Sequence, residues 1–270
     1  MAYKSDNQLS HILFIPHGGG PLPLLGDKGH RHLVTFLQEI PSDLGQPSAI
    51  MVISAHWEED IATITSGANP ALIYDYYGFP DASYQIQYPA PGSPGLADKI
   101  FQLLTHSGIE VRLDRERGFD HGLFVPLKIM FPEANIPCVQ LSLVRGLDPV
   151  THINIGKALS ALREENVLIL GSGFSFHNLG AFFVRNSESP DLKNTAFEEW
   201  LIESCTNPAL SAGERETRLI HWRDAPYANY CHPREEHLLP LHVCLGLSDA
   251  PARLVFNAEV LGKKASAFLW

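Results

Sequence analysis

His11-Ile12-Leu13-Phe14-Ile15-Pro16-His17-Gly18-Gly19-Gly20-Pro21 (HILFIPHGGGP) joins a short apolar run to a glycine-rich turn. The run is bounded by proline and glycine, is too short for a helix and has no polar alternation. It reads as a strand buried on both faces. Its carboxyl end delivers His17 onto a loop that three glycines let bend closely. Two more stretches repeat the arrangement: Ala49 to Ser54 (AIMVIS) leads to His56, and Val167 to Leu170 (VLIL) leads through Gly171-Ser172-Gly173-Phe174-Ser175-Phe176 to His177. A fourth apolar run, Cys138 to Val144, reads as a strand without a histidine.

Between these runs lie segments with helical spacing: Arg31 to Ile40, Gly95 to Ser107, Pro149 to Glu165, Thr195 to Cys205, and Arg234 to Gly246. Strands alternating with helices predict an α/β fold with a central mixed, largely parallel sheet flanked by helices. Pro251 to Trp270 reads as one or two further strands. Ser66 to Pro94, with Tyr74, Asp75, Tyr76, Tyr77 and Phe79, has neither period and reads as a long ordered loop of the kind that tends to be functional. Its aromatic residues suit a wall over a planar ligand or a packed surface loop. No repeat and no flexible linker interrupts the 270 residues, so residues 1–270 are expected to form one catalytic domain.

Hydrophobic residues make up 45% of the chain, enough for a sizeable core. The formal charge of -10 and the lack of any basic run argue against a nucleic-acid partner. No segment approaches the roughly 18 uninterrupted apolar residues of a membrane span, and Met1 to Ser10 is polar, so a cytoplasmic protein with no membrane partner is expected. Cys138, Cys205, Cys231 and Cys244 form no CxxC pair and read as thiols. Nothing in the residues specifies an oligomeric state.

Histidine is the over-represented residue, with 13 copies, and it is the side chain best suited to bind a metal or move protons near neutral pH. His17, His56 and His177 each follow the carboxyl end of a predicted strand, where open α/β sheets build ligand sites. Any one of them alone would read as a surface residue. Three in one topological position point to a shared site. Asp120-His121 adds a histidine whose acidic neighbour could fix its tautomer. In Cys231-His232-Pro233-Arg234-Glu235-Glu236-His237, Pro233 suits the first position of a helix, which places His237 inward on a stripe with Leu241, Cys244 and Leu245. Pro240 predicts a kink there. His232 and His237 are five apart and HExxH is absent, so the metalloprotease helix does not fit. His11, His30, His32, His106, His152, His221 and His242 read as surface or packing residues.

HILFIPHGGGP, ISAHWEE, IYDYYGFP, FDHGLFVPL, GSGFSFHNL and HPREEHLLPL, in this order from residue 11 to about residue 241, resemble the DODA-type (4,5-DOPA) extradiol ring-opening dioxygenases of the class III extradiol superfamily. The resemblance implies one divalent metal ion held by His17, His56 and His237, with His177 as acid/base and a possible fourth ligand, and His121 at the substrate. Class III sites typically pair two histidines with a carboxylate, so Glu235 or Glu236 is the alternative to His237, and His232 is a further neighbour. Fe(II) is implied for activity, because Zn(II) cannot pass an electron, although the same imidazoles suit zinc. The implied partners are a catechol and O2. Two rival readings use the same residues: a zinc hydrolase with His177 as base, and a binding protein that kept the pocket without catalysis.

Overall fold

The opening apolar run forms β1 (Ile12–Pro16), every residue of it buried, in a computed structural model that describes residues 9–182 and 190–270. Most of the polar amino-terminal segment, residues 1–8, therefore lies outside the described residues. The other expected runs form β2 (Ala49–Glu59), β5 (Cys138–Val144) and β6 (Val167–Gly173). β3 (Ala62–Thr65), β4 (Val111–Asp114), β7 (Arg253–Val260) and β8 (Lys263–Leu269) complete one eight-stranded sheet in the order β4-β3-β5-β2-β6-β1-β8-β7. The four central strands run parallel, and antiparallel pairing joins β3 to β5, β8 to β1 and β7 to β8. The central strands are mostly apolar and almost wholly buried, as strands covered on both faces are. The sheet is mixed and largely parallel at its centre, as expected.

Glycine in β6 lets one layer come very near. A side chain at Gly171 or Gly173 would collide with the backbone at Pro240 and His237, and the Phe174 amide donates to the His237 carbonyl at 2.9 Å. That bond revises the reading of Arg234 to Gly246. The His237 carbonyl is used across the chain instead of along a helix, so residues 234–238 form turns and the helix spans only Leu239–Gly246. Pro240 stands in its first turn, where a missing N–H costs nothing, and does not kink it. His237 therefore precedes the helix, but it is buried and points inward.

Two other boundaries move. The expected Pro149 to Glu165 helix is a helix over Pro149–Ala158 followed by a 3-10 turn over Ser160–Glu164. β2 does not stop at Ser54 but runs on to Glu59, with an irregular pairing to β5 between Ile53 and Glu58. His56 sits in that bulge, and bulges re-aim side chains beside functional sites. The four cysteines are buried and free.

Among the histidines read as surface or packing, His242 is fully buried, and so is His232, the uncertain neighbour of the proposed site. The His232 Nε2 hydrogen donates to the Ser175 carbonyl at 2.8 Å, with Phe197 and Trp222 beside the ring, which makes it a core residue outside the sets of close ligand atoms among the described residues. Burial first of all lowers the pKa of His232 to about 3 and of His242 to about 4. The unfolded chain takes up protons at these positions below about pH 6.5, and the folded chain does not. Their contribution to stability is thus full above pH 6.5 and is lost as pH falls toward 4 and then 3, on the order of 1 kcal/mol per pH unit for each. Urea unfolding of the metal-free protein at pH 7 and pH 5 should show a lower midpoint at pH 5, and the pH dependence should be shallower in His242→Asn. An unchanged slope in the variant would show that His242 is not the titrating group.

Candidate functional site

His17, His56, His121, His177 and His237 come together at the carboxyl edge of the central strands. His17 leaves β1 with its amide donating to the Gly173 carbonyl at 3.1 Å, which ties it to the end of β6. Gly18 then takes φ +89°, where a side chain would also stand 2.6 Å from Pro23. The turn is held from behind by His30, read above as surface or packing: its Nε2 accepts from the Gly19 amide at 2.9 Å, and its Nδ1 faces Asp27 at 2.7 Å. The His17 ring lies 4.8 Å from His56, 5.4 Å from His121 and 5.2 Å from His237 between centroids. His177 stacks on His237 at 3.4 Å.

Hydrogen bonds assign the proton of four of these rings. The single hydroxyl proton of Ser172 goes to the Gly122 carbonyl, which can only accept. Ser172 Oγ must therefore accept from Nδ1–H of His17, at 3.1 Å, and the lone pair of His17 is left on Nε2. Glu236 Oε1 accepts from Nδ1 of both His177 and His237, each at 2.9 Å. Asp75 Oδ1 accepts from Nδ1 of His121 at 2.8 Å. All four rings are left with Nε2 unprotonated when neutral. The Nε2 atoms of His17 and His56 stand 2.9 Å apart, and Nδ1 of His56 faces Asp75 Oδ2 at 3.7 Å.

Burial, reinforced by the neighbouring rings, holds the pKa values of His17 and His237 well below the ordinary value. His56 is lowered in the same way by burial and by His121, against the pull of Asp75. Neutral imidazoles with their lone pairs aimed at one space are the donor set a divalent cation requires. His17, His56 and His237 have ligand atoms within 4.8 Å of one another and could hold such an ion. The sets His56, Asp75, His121 and His177, Glu236, His237 meet the same distance criterion.

The carboxylates occupy places that sequence reading missed. Asp120 does not orient His121: its Oδ1 accepts from Ser54 Oγ at 2.8 Å, and its Oδ2 accepts from Gln140 and from Arg117. Ser54 Oγ in turn accepts the His56 amide at 3.2 Å, so Asp120 braces the bulge of β2. Asp75, 46 residues away, is the acceptor for His121. Burial alone would raise the pKa of Glu236, but the hydrogen bond and charge of His177, a backbone hydrogen bond and the charge of Arg234 together outweigh it and the carboxyl is lowered. Oε2 of Glu236 lies 3.5 Å from Arg234, while Glu235 pairs outward with Arg223 at 2.7 Å. The only local hints of these roles were the isolated serine in Gly171-Ser172-Gly173 and the acid set among the tyrosines of the aromatic loop.

That loop forms a wall. Tyr76 meets the His121 ring edge-on at 5.7 Å and packs with Tyr74, Phe79, Tyr84 and Phe124. The Tyr74 and Tyr76 hydroxyls donate to Ile86 and Ser83 carbonyls at 2.6 Å, which fixes the loop against itself. Tyr77 is 92% exposed.

Known proteins resemble this chain over most of its length. Dioxygenase tasH of Hapsidospora irregularis is 40% identical, with 97% of this chain and 86% of that protein covered. The 4,5-DOPA dioxygenase extradiol of Beta vulgaris is 38% identical over 94% of this chain and 93% of its own. The crystal structure of an uncharacterized protein from Escherichia coli K12 superposes with a TM-score of 0.77 at 30% identity, covering 96% of this chain and 99% of that one. The family described as the catalytic LigB subunit of aromatic ring-opening dioxygenase matches residues 13–268. The chain is therefore a member of the LigB family of aromatic ring-opening dioxygenases.

Proposed function

We propose that this chain is a non-haem, Fe(II)-dependent extradiol dioxygenase that uses O2 to open the ring of a catechol resembling 4,5-DOPA, within one catalytic domain over residues 1–270. The observation that carries the reading is the close set of His17, His56 and His237 ligand atoms beside an aromatic wall, with His17, His237, His177 and His121 oriented from behind by Ser172, Glu236 and Asp75. His17, His56 and His237 would hold the metal, and His177, stacked on His237, would be the fourth ligand if the ion takes one. Bound there, the metal supplies the redox centre at which catechol and O2 meet. With three neutral imidazoles around it, a bound divalent ion would keep its full dipositive charge and would favour a deprotonated catechol.

His177 Nε2 takes a phenolic proton and later returns one, because Glu236 occupies its other nitrogen. His121 Nε2 meets the substrate oxygen, and Tyr76 and the loop around it limit where the ring can lie. The four free thiols suit a cytoplasmic location. Zn(II) in a purified sample would be substitution by an ion of higher raw affinity for the same ligands.

Anaerobic reconstitution with Fe(II), followed by addition of O2 and a panel of catechols, tests the reading. The expected result is O2 uptake coupled to a yellow ring-opened product. Absence of O2 uptake with every catechol, together with hydrolytic activity retained in Zn(II), would replace it with the hydrolase.

A further inference from the structure

We infer that Asp75 is a positioning residue that presents His121 to the substrate and locks the aromatic loop to the site through the same carboxylate. The inference rests on the proposed role of His121. Three separate contacts converge on Asp75. Its Oδ1 accepts the Nδ1 hydrogen of His121 at 2.8 Å and the His121 backbone amide at 3.0 Å. Its Oδ2 faces Nδ1 of His56 at 3.7 Å.

The backbone contact explains why the loop reaches in. His121 opens the helix His121–Met130, whose first amides have no partner inside the helix. Asp120 stands at the capping position but makes no cap, because its carboxylate is committed to Ser54, Gln140 and Arg117. Asp75 supplies the missing acceptor from across the loop. A single oxygen thus fixes both the backbone and the ring of His121, leaving χ1 and χ2 little freedom and placing the ring proton on Nδ1.

The loop is held at its base by Ile73, whose amide donates to the Phe119 carbonyl at 2.8 Å, and it carries Tyr76 against His121. Asp75 sits between these two points. Loop and histidine are therefore one mechanical unit, and displacing the carboxylate displaces both the proton-bearing ring and the wall beside it.

The test uses Asp75→Ala, which removes the acceptor, and Asp75→Asn, whose amide oxygen still reaches both N–H groups. With Fe(II)-loaded protein and the best catechol of the panel, Asp75→Ala should lose about 10- to 100-fold in kcat, the size of effect usual for groups that orient a site residue. Its metal content should match the wild type, and Asp75→Asn should recover most of kcat. A readout free of the reaction is the 15N spectrum of histidine-labelled, Zn(II)-loaded protein. The His121 ring, assigned by its loss in His121→Gln, should be the Nδ1–H tautomer in the wild type and in Asp75→Asn, and should lose that preference in Asp75→Ala. An Nε2–H tautomer in the wild type, an unchanged tautomer in Asp75→Ala, or loss of metal in proportion to activity would overturn the inference. A correct tautomer pattern in a protein that opens no catechol would instead count against the proposed reaction and leave the role of Asp75 standing.

Discussion

His177→Ala is expected to lower turnover by roughly 10²- to 10⁴-fold, the range of general acid/base help, while the purified protein keeps its metal. The expectation follows from how the ring is held. Glu236 Oε1 accepts the Nδ1 hydrogens of His177 and His237 at the same 2.9 Å, and the two rings stack at 3.4 Å. Removing His177 leaves His237 with its carboxylate partner and its orientation. The His177 side chain is 21% exposed against 5% for His237, which suits a group that exchanges protons rather than one that only holds an ion. His177→Phe keeps the stack and removes Nε2, so it separates loss of a proton carrier from loss of packing. Elemental analysis and O2 uptake on both variants check this. A metal-free His177→Ala alongside a metal-free His177→Phe would make His177 a ligand and move the acid/base role elsewhere.

What could be read from residues alone was whatever has a local signature. The four central strands announce themselves as short, mostly apolar, β-branched runs because both faces are covered. β3 (ATIT) and β4 (VRLD) do not, since four residues of mixed polarity near the sheet's edge carry no such mark. His17 and His177 were legible because each follows a strand end beside glycines, His17 directly before three of them and His177 shortly after two. His56 was found for a partly different reason than its true setting, a bulge inside β2 rather than a turn after it.

The partners that orient the rings were not legible. Ser172 meets His17 across 155 residues, Glu236 meets His177 across 59 and Asp75 meets His121 across 46. Hydrogen bonds between such distant positions exist only once the sheet has brought the elements together. The nearest acid in sequence, Asp120, was the natural choice for His121, but burial and three hydrogen-bonding neighbours committed it to Ser54, Gln140 and Arg117 instead. His237 was correctly turned inward although the helix that was to carry it begins two residues later.

The largest effect is expected from His17→Ala and His56→Ala, each losing both metal and turnover. His17 is 1% exposed, with Ser172 holding its Nδ1 hydrogen and its lone pair 2.9 Å from Nε2 of His56. The three residues that follow it, Gly18, Gly19 and Gly20, carry no side chain that could replace it. A graded series separates the ligand from its support. Ser172→Ala leaves the imidazole in place but frees its tautomer and rotation, so metal affinity should fall about 10- to 100-fold, whereas His17→Ala should bind no stoichiometric metal at all. Titration of metal-free protein with Zn(II) and with Fe(II) under anaerobic conditions measures both. The two remaining sets of close ligand atoms give the series its second use. Retention of one metal per chain in His17→Ala would place the ion on His177, Glu236 and His237 or on His56, Asp75 and His121. His56→Ala then distinguishes these two, because only the second set contains His56. Loss of metal in both variants, with retention in His177→Ala, is the pattern that a centre built on His17, His56 and His237 requires.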